Sequence, residues 1–170
     1  RMGLPEETCE GIYLAAMVHD VGKISIPAEL LSKPSKLNDV EMALIQTHPD
    51  SAYEILKNVD SPWNLAEIVR QHHERMDGSG YPIGLRGEEI LLEARIIAVA
   101  DVFEAVASDR PYRPGLGLDA AMAVLEDGKG TEFDPDVVEV CRSLFDEGFE
   151  FEPVGGRFSF ATARGGNPFE

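Results

Sequence analysis

The 170-residue sequence is poor in basic residues, in cysteine and in long apolar runs, and each shortage excludes a class of protein. Lys and Arg number 15 against 31 Asp and Glu, which gives a formal net charge of −16. Such a charge argues against sequence-independent binding to DNA or RNA and against docking on an anionic membrane, because both need Lys and Arg. Two cysteines, Cys9 and Cys141, build no disulfide framework, so we expect a reducing, cytoplasmic setting.

The sequence also lacks the signals of membrane insertion and secretion. No run approaches the roughly 18 apolar residues of a membrane span. The first residues, RMGLPEETCEG, contain no apolar signal-peptide core. The length suits one domain with a core of its own. Because the chain starts at Arg1 without an initiator Met, we expect it to be a fragment of a longer protein.

The spacing of apolar residues predicts an all-α fold, because strand signals are scarce. Pro5 followed by two glutamates opens a helix that Gly22 ends. Asn38 with Glu41 resembles a capping box, which opens a helix through His48. Further helices are predicted at 62–74, 91–108, 118–127 and 134–147, with an ordered loop at 77–87. Residues 149–170 lose the periodicity, so we expect a domain at 1–148 and a loosely ordered tail at 149–170.

The four histidines and two aspartates are candidate metal ligands. Asp101 interrupts the apolar helix 91–108, and a carboxylate there is costly to bury unless it is paired, hydrogen-bonded or bound to a metal. A pair with Arg95 or a cap on a neighbouring loop is the alternative. Each histidine also has an ordinary interpretation as a polar residue near a helix end. Together they favour iron, manganese, zinc or nickel, held at one end of a helical bundle by side chains from four helices. The candidates are His19, Asp20, His48, His72, His73 and Asp101.

Five motifs in a fixed order resemble the HD-GYP phosphodiesterases, a bacterial subgroup of the HD metal-dependent phosphohydrolases. They are HDVGKISIP (19–27), KPSKL (33–37), HHERMDGSGYPIGLRG (72–87), ARIIAVADVFEAVASDRPYR (94–113) and GTEFDPDVV (130–138). The resemblance covers residues 12–145 and implies an all-α bundle of the HD-domain type. It implies two metal ions, or three, most often iron or manganese. It also implies hydrolysis of cyclic di-GMP to pGpG or GMP by a hydroxide that bridges the ions.

The same resemblance assigns roles to the candidate ligands. Asp20 corresponds to the aspartate that bridges two ions, and His19 and Asp101 serve one of them. The other ion takes the three remaining histidines, His48, His72 and His73. In the family a lysine at the position of Lys23 lies near the phosphate and assists the leaving group. Asp20 and Lys23 are therefore the catalytic candidates.

The resemblance also assigns substrate contacts. Arg110 and Arg113 look like the family's phosphate or nucleotide contacts, and two guanidiniums suit two phosphates. Neutralisation of a helix C-terminus is their alternative role. Gly80 and Tyr81 form the lip of the site, with an ordinary turn or a protein contact as the alternative. The implied substrate is a cyclic dinucleotide, and we expect an upstream sensor or receiver domain, with a homodimer left open.

Two departures from the family pattern keep other functions open. The family has an upstream helix with a further His, often with a Glu, but no His precedes His19 here. We therefore expect that first helix to be absent and one ion to lack a ligand unless a neighbour supplies it. Glu104 stands where the family commonly has Asp. The alternatives are a weak or inactive module that senses cyclic di-GMP or contacts proteins, and an HD-type phosphohydrolase acting on another nucleotide.

Overall fold

The structure, a computed structural model, describes residues 1–108 and 115–148, and the backbone alone of 151–154 and 157–160. The described residues form eight α-helices and two strands: α1 (Glu6–Val18), α2 (Ala28–Leu31), α3 (Asp39–Ile45), α4 (His48–Leu56), α5 (Leu65–Arg70), α6 (Leu92–Ala107), α7 (Leu118–Asp127), α8 (Pro135–Asp146), β1 (Phe151–Val154) and β2 (Arg157–Phe160). Short 3-10 turns lie at Val21–Ser25 and Gly87–Glu89. The predicted all-α class is confirmed.

The two strands form an antiparallel hairpin within the segment expected to be a loosely ordered tail. Phe151 pairs with Phe160, and Pro153 pairs with Phe158. Four residues are too few to show the two-residue period of a strand, and a proline within a run argues against one. The sequence pattern therefore gave no strand here.

Local signals place most helix ends. The Asn38 side chain accepts from the Glu41 amide while the Glu41 carboxylate accepts from the Asn38 amide, which is the expected capping box. Asp134 caps α8, with Pro135 in the first turn. Helices α6, α7 and α8 agree with the predicted ranges to within a residue or two at each end.

Three predicted helices differ from the structure. The one expected to end at Gly22 ends at Val18, and Gly22 lies in the 3-10 turn that follows. The helix expected from Asn38 to His48 ends at Ile45, and a new helix, α4, begins at His48 with Pro49 in its first turn. Proline is well suited to a first turn because its missing amide hydrogen is not needed there. The helix expected at 62–74 is reduced to α5, so the two adjacent histidines after it lie in turns. This release from helical geometry allows both side chains to face the same space.

Helix α6 separates two apolar clusters and is the central helix. On one side Val99 and Phe103 pack with residues of α7 and α8, and on the other Ala94 and Ile97 pack with residues of α1, α4 and α5. Gly22, in the turn after α1, lies against the start of α4. A Cβ built on it would be 2.0 Å from the His48 carbonyl oxygen. This close approach brings the end of α1 beside the start of α4.

Helices capable of crossing a membrane were sought within the described part of the chain. None of its helices combines the necessary length with the necessary apolar character.

Candidate metal centre

The six predicted ligands lie together where several elements meet. His19 and Asp20 follow α1, and His48 begins α4. The other two histidines occupy the turns after α5, and Asp101 lies within α6. Neighbouring imidazole rings have centroids 4.0–5.4 Å apart. The Nε2 atom of His19 is 3.4 Å from Asp20 Oδ2 and 3.7 Å from Asp101 Oδ1.

Three of the imidazoles are oriented in the same way by backbone carbonyl oxygens. In His19, His48 and His72, the Nδ1–H donates to the carbonyl three residues earlier in the chain. The accepting residues are Ala16, Ile45 and Val69, each in the last turn of a helix. The last carbonyls of a helix have no partner within the helix, and they carry partial negative charge. In the neutral rings of His48 and His72, Nδ1 carries the hydrogen and Nε2 is left as an acceptor, the arrangement typical of metal-binding histidines.

The free ring nitrogens converge with a carboxylate oxygen. His48 Nε2, His72 Nε2 and Asp20 Oδ1 are buried and have no hydrogen-bond partner among the described residues. Two groups have ligand atoms within 4.8 Å of one another: His48 with His72 and His73, and His19 with Asp20 and His72. Buried polar atoms are almost always satisfied, so acceptors left this way need an explanation. A divalent ion would satisfy them, and the donor set fits one.

The electrostatics divide the histidines into two kinds. Burial disfavours the imidazolium of His19, but the carboxylates of Asp101 and Asp20 outweigh burial and raise its pKa to about 10. Burial lowers the pKa of His72 to about 4. Burial likewise lowers the pKa of His48, and burial with the neighbouring imidazole lowers that of His73. Three histidines are thus neutral at pH 7, as metal ligands must be, and the fourth is a cation between carboxylates.

The two aspartates remain ionised. Burial opposes the charge of Asp20, but the adjacent His19 cation and Lys23 outweigh it and hold its pKa far below the usual range. The Lys23 ammonium donates to Asp20 Oδ2 at 2.7 Å. Burial also raises the pKa of Asp101, but the hydrogen bond and charge of His19 lower that pKa by more. The pKa of Asp101 therefore lies below its usual value.

The alternative partner considered for Asp101 is engaged elsewhere. The Arg95 guanidinium donates to Asp134 at 2.6 Å, and both side chains are largely buried. Asp134 also caps α8, so this pair joins α6 to α8. Asp101 instead faces His19.

The loop at 77–87 covers one side of the cluster. The ring of Tyr81 stacks on that of His73, with centroids 4.7 Å apart and planes 26° apart. Burial raises the pKa of Tyr81 to about 12. Gly80 packs against the histidine turn so closely that a Cβ would lie 2.5 Å from the His73 carbonyl oxygen. The predicted lip residues therefore border the candidate ligands.

Two predicted substrate contacts, Arg110 and Arg113, lie outside the described residues. A cleft of about 470 Å³ adjoins the cluster, with largely apolar walls from α6 and α8 that include Phe103 and Phe145. His19 and Asp101 line it, as does Glu104, the departure from the family pattern.

Glu74, a carboxylate beside the histidine pair, is 2% exposed, and no motif in the sequence predicts a role for it. Its oxygens accept from backbone amides of residues 83–85. The sequence signal that could have indicated this role is a glutamate next to a glycine-rich loop, because the turns of such a loop leave backbone amides without acceptors.

Comparison with known proteins identifies a family for the chain. A family model described as the HD domain matches residues 1–137. A cyclic di-GMP phosphodiesterase response regulator, RpfG, of Xanthomonas campestris is 46% identical over 168 residues, which are 98% of this chain and 44% of that protein. The 3′3′-cGAMP-specific phosphodiesterase 3 of Vibrio cholerae is 40% identical over 122 residues, 72% of this chain and 26% of that protein. The chain thus spans less than half of either relative.

A solved structure shares the fold. The protein Bd1817 of Bdellovibrio bacteriovorus, described as an HDG"Y"P protein, superimposes with a TM-score of 0.64 at 19% identity. The match covers 81% of this chain and 44% of the other. With the family match over most of its length, the chain belongs to the HD-domain family, and the resemblance to HD-GYP proteins drawn from its motifs is confirmed.

Proposed function

We propose that this chain is a metal-dependent phosphodiesterase that hydrolyses cyclic di-GMP to pGpG or GMP. The observation that carries the proposal is the convergence of His48 Nε2, His72 Nε2 and Asp20 Oδ1, buried acceptors without hydrogen-bond partners among the described residues. Imidazole and carboxylate donors suit transition metals better than Ca²⁺ or Mg²⁺. We propose two ions, iron or manganese, with a third left open.

We propose that the ligands divide between the two ions as the family resemblance implies. His48, His72 and His73 form one group within reach of a single ion. Asp20 lies next to this group through Oδ1, 3.6 Å from His48 Nε2, so it is proposed to bridge. The other ion would take His19 and Asp101, whose nearest ligand atoms are 3.7 Å apart. When bound, such ions lower the pKa of water and neutralise charge on a phosphoryl group.

The chain's own residues would then serve the hydrolysis step. The reaction forms a bond from the water oxygen to phosphorus and breaks the bond from phosphorus to a ribose 3′ oxygen. The proton lost by the water balances the one gained by that 3′ oxygen. The Lys23 ammonium, 2.7 Å from Asp20 Oδ2, would lie beside the departing oxygen and stabilise its negative charge. Lys23 and Asp20 are accordingly the proposed catalytic residues.

Substrate binding is proposed to use the surroundings of the cluster. Gly80 and Tyr81 border the histidines from the loop, while Arg110 and Arg113 would contact phosphates. The chain's net charge of −16 opposes polyanions in general, whereas lysine, arginines and ions together make one local positive site. A dinucleotide fits such a site, and duplex DNA or RNA does not.

A second substrate is favoured by the names of relatives. One relative is named as specific for 3′3′-cGAMP, another as acting on cyclic di-GMP. The two substrates differ in a single base, so the discrimination would come from contacts to the bases.

The proposal extends to the setting of the domain. We propose a domain at 1–148 with 149–170 as its tail. We place it in the cytoplasm, joined to an upstream sensor or receiver domain. Support comes from the 44% share of RpfG, named as a response regulator, that the chain covers.

The test is turnover of both cyclic dinucleotides by the 170-residue chain with Mn²⁺ or Fe²⁺, followed by chromatography of products. We expect pGpG or GMP to appear from cyclic di-GMP and to disappear after chelation. The variant Lys23→Met should retain metal but lose about a hundredfold to a thousandfold in turnover, as loss of one charge-stabilising group does. Its matched control is Lys57→Met, which breaks a similar lysine–carboxylate pair, Lys57–Glu54, and should match wild type.

Each alternative has its own outcome in this assay. Turnover confined to 3′3′-cGAMP would favour the second substrate. Binding of cyclic di-GMP without hydrolysis by the metal-loaded chain would favour the sensor module and contradict the enzyme. A chain that takes up neither Mn²⁺ nor Fe²⁺ would contradict the metal centre itself.

A further inference from the structure

The Glu74 carboxylate accepts hydrogen bonds from a short stretch of the loop at 77–87. Its Oε1 accepts from the amides of Ile83 and Gly84, and its Oε2 accepts from those of Gly84 and Leu85, at 2.7–3.2 Å. The side chain is 2% exposed, so these bonds are shielded from water. Hydrogen bonds to an ionised carboxylate are roughly twice as strong as those between neutral groups. One buried charge therefore fixes three consecutive loop amides.

The same loop returns to the histidine turn just before this stretch. The Tyr81 amide donates to the His73 carbonyl at 3.2 Å, and Gly80 is in contact with the backbone of Glu74. The Gly87 amide donates to Met76 at 3.0 Å and closes the far end of the loop. The loop is thus bonded to the residues that precede it both at Tyr81 and at Gly87, on the two sides of the stretch bound by Glu74.

The ring of Tyr81 stacks on that of His73, which also lies beside the imidazoles of His72 and His48 at centroid distances of 4.0 and 5.0 Å. The planes of the Tyr81 and His73 rings differ by 26° with centroids 4.7 Å apart, an offset stack. The other three histidines are oriented by backbone carbonyl oxygens three residues earlier. The loop contributes to the setting of His73 through the Tyr81 stack, and Glu74 holds that loop through its amides.

We infer that Glu74 is a positioning residue for the metal centre: by binding the amides of residues 83–85 it holds the Tyr81 ring against His73 and helps to set the direction of that imidazole. The inference rests on the proposed function for the role of His73 as a ligand. The chain of contacts from Glu74 to His73 stands without it. Glu74 itself is not placed as a ligand or as a group that touches substrate.

The variant Glu74→Gln tests the inference because it keeps the size of the side chain. One acceptor oxygen becomes an NH₂ group that faces backbone N–H donors, so the loop is pushed away. The matched control is Glu89→Gln. Glu89 is exposed and accepts one amide, that of Arg86, in the same loop. The control makes the same chemical change at a carboxylate that does not hold the part of the loop next to Tyr81.

The first measurement is NMR of the ¹³C-labelled histidines in the 170-residue chain, with and without added Zn²⁺. The four ring signals are assigned with single-histidine variants. Tyr81 should displace the His73 signals by its ring current, and Tyr81→Leu gives their position without it. We expect Glu74→Gln to move the His73 signals most of the way to that position, with the His19 signals unchanged. Glu89→Gln should match wild type.

A second variant displaces the loop by a change in the loop itself. In Gly80→Ala a new Cβ would lie 2.5 Å from the backbone of Glu74 and His73, so the loop must move although the carboxylate is intact. It should produce the same displacement of the His73 signals. Unchanged His19 signals and helical circular dichroism establish that each variant is folded. Folded variants in which His73 keeps its wild-type signals would overturn the inference, and so would a Glu74→Gln chain in which all four histidines move together.

The second measurement is Zn²⁺ affinity by calorimetry. Loss of a group that orients a ligand weakens metal binding about tenfold to a hundredfold, and we expect Glu74→Gln to do so while Glu89→Gln does not. A wild-type chain that binds no Zn²⁺ and hydrolyses nothing would defeat the proposed function, yet the ring-current result would still decide the link from Glu74 to His73. Normal affinity in Glu74→Gln together with a displaced His73 signal would overturn the link to the metal.

Discussion

His48 Nε2 and Asp20 Oδ1 lie 3.6 Å apart, and both are buried without a hydrogen-bond partner among the described residues. The pair joins the start of α4 to the second residue after α1. Two acceptors cannot bond to each other while the imidazole donates from Nδ1, so the contact is unfavourable unless a cation lies between them. The burial of His72 Nε2 adds a third acceptor to the same space.

Replacing Asp20 should therefore weaken metal binding strongly while the helices remain. We expect Asp20→Asn to lower Mn²⁺ affinity at least about a hundredfold, because an amide supplies neither the charge nor a second lone-pair oxygen to an adjacent ion. The matched control is Asp50→Asn. Asp50 is near His48 in sequence, but its carboxylate accepts from Arg70 instead. Metal analysis of the purified variants and calorimetric titration provide the measurement. Equal metal content in Asp20→Asn and wild type would contradict the centre.

Much of the fold follows from local signals in the sequence. The capping box at Asn38 and the cap at Asp134 are short-range chemistry, and both helices begin where those residues predict. The apolar run at 91–108 became the central helix because no other segment is long and apolar enough to serve two clusters. The prediction was weakest at 62–74, where α5 ends at Arg70 because tertiary contacts around the following turns outweigh helical periodicity.

The candidate site was predictable in its residue types but not in its geometry. With only four histidines in the chain, a cluster of histidines and aspartates had to draw on nearly all of them. The side-chain nitrogen that stays free depends on carbonyl oxygens at helix ends, which become visible only when the helix ends are placed. The pairing of Arg95 with Asp134 is equally non-local, since 39 residues separate them. Glu74 was missed because its partners are backbone amides, which the sequence does not distinguish.

Metal binding should release a proton from His19 at neutral pH. The pKa of about 10 means that the metal-free chain holds this imidazole protonated between Asp20 and Asp101. A metal must displace that proton, so apparent affinity should rise up to about tenfold per pH unit between pH 6.5 and 8.5. Calorimetry in buffers of different ionisation enthalpy measures the release, which should be about one proton at pH 7.5.

The variant His19→Gln is the control for this linkage, because it cannot carry the proton. Its weaker metal binding should lose most of the dependence on pH over the same range. In the metal-free chain, folding stability depends on pH in the opposite direction to metal affinity. The raised pKa of His19 stabilises the fold below pH 6.5, and this contribution is lost as the pH rises towards 10. Metal binding by the wild-type chain without proton release would mean that His19 is neutral before the ion arrives.

Gly22 should be required for both stability and metal binding, because it lets the turn at Val21–Ser25 touch α4. A Cβ there would lie 2.0 Å from the His48 carbonyl oxygen, so Gly22→Ala must separate the two elements. We expect a loss of about 1–3 kcal/mol in the free energy of unfolding, typical of overpacking, and weaker Mn²⁺ binding as Asp20 moves from His48. Thermal unfolding with and without Mn²⁺ measures both. Ser25→Ala, an exposed change in the same turn, should leave both unchanged. A Gly22→Ala chain as stable as wild type would show that the turn can shift freely, so the two halves of the cluster would not be held at a fixed distance.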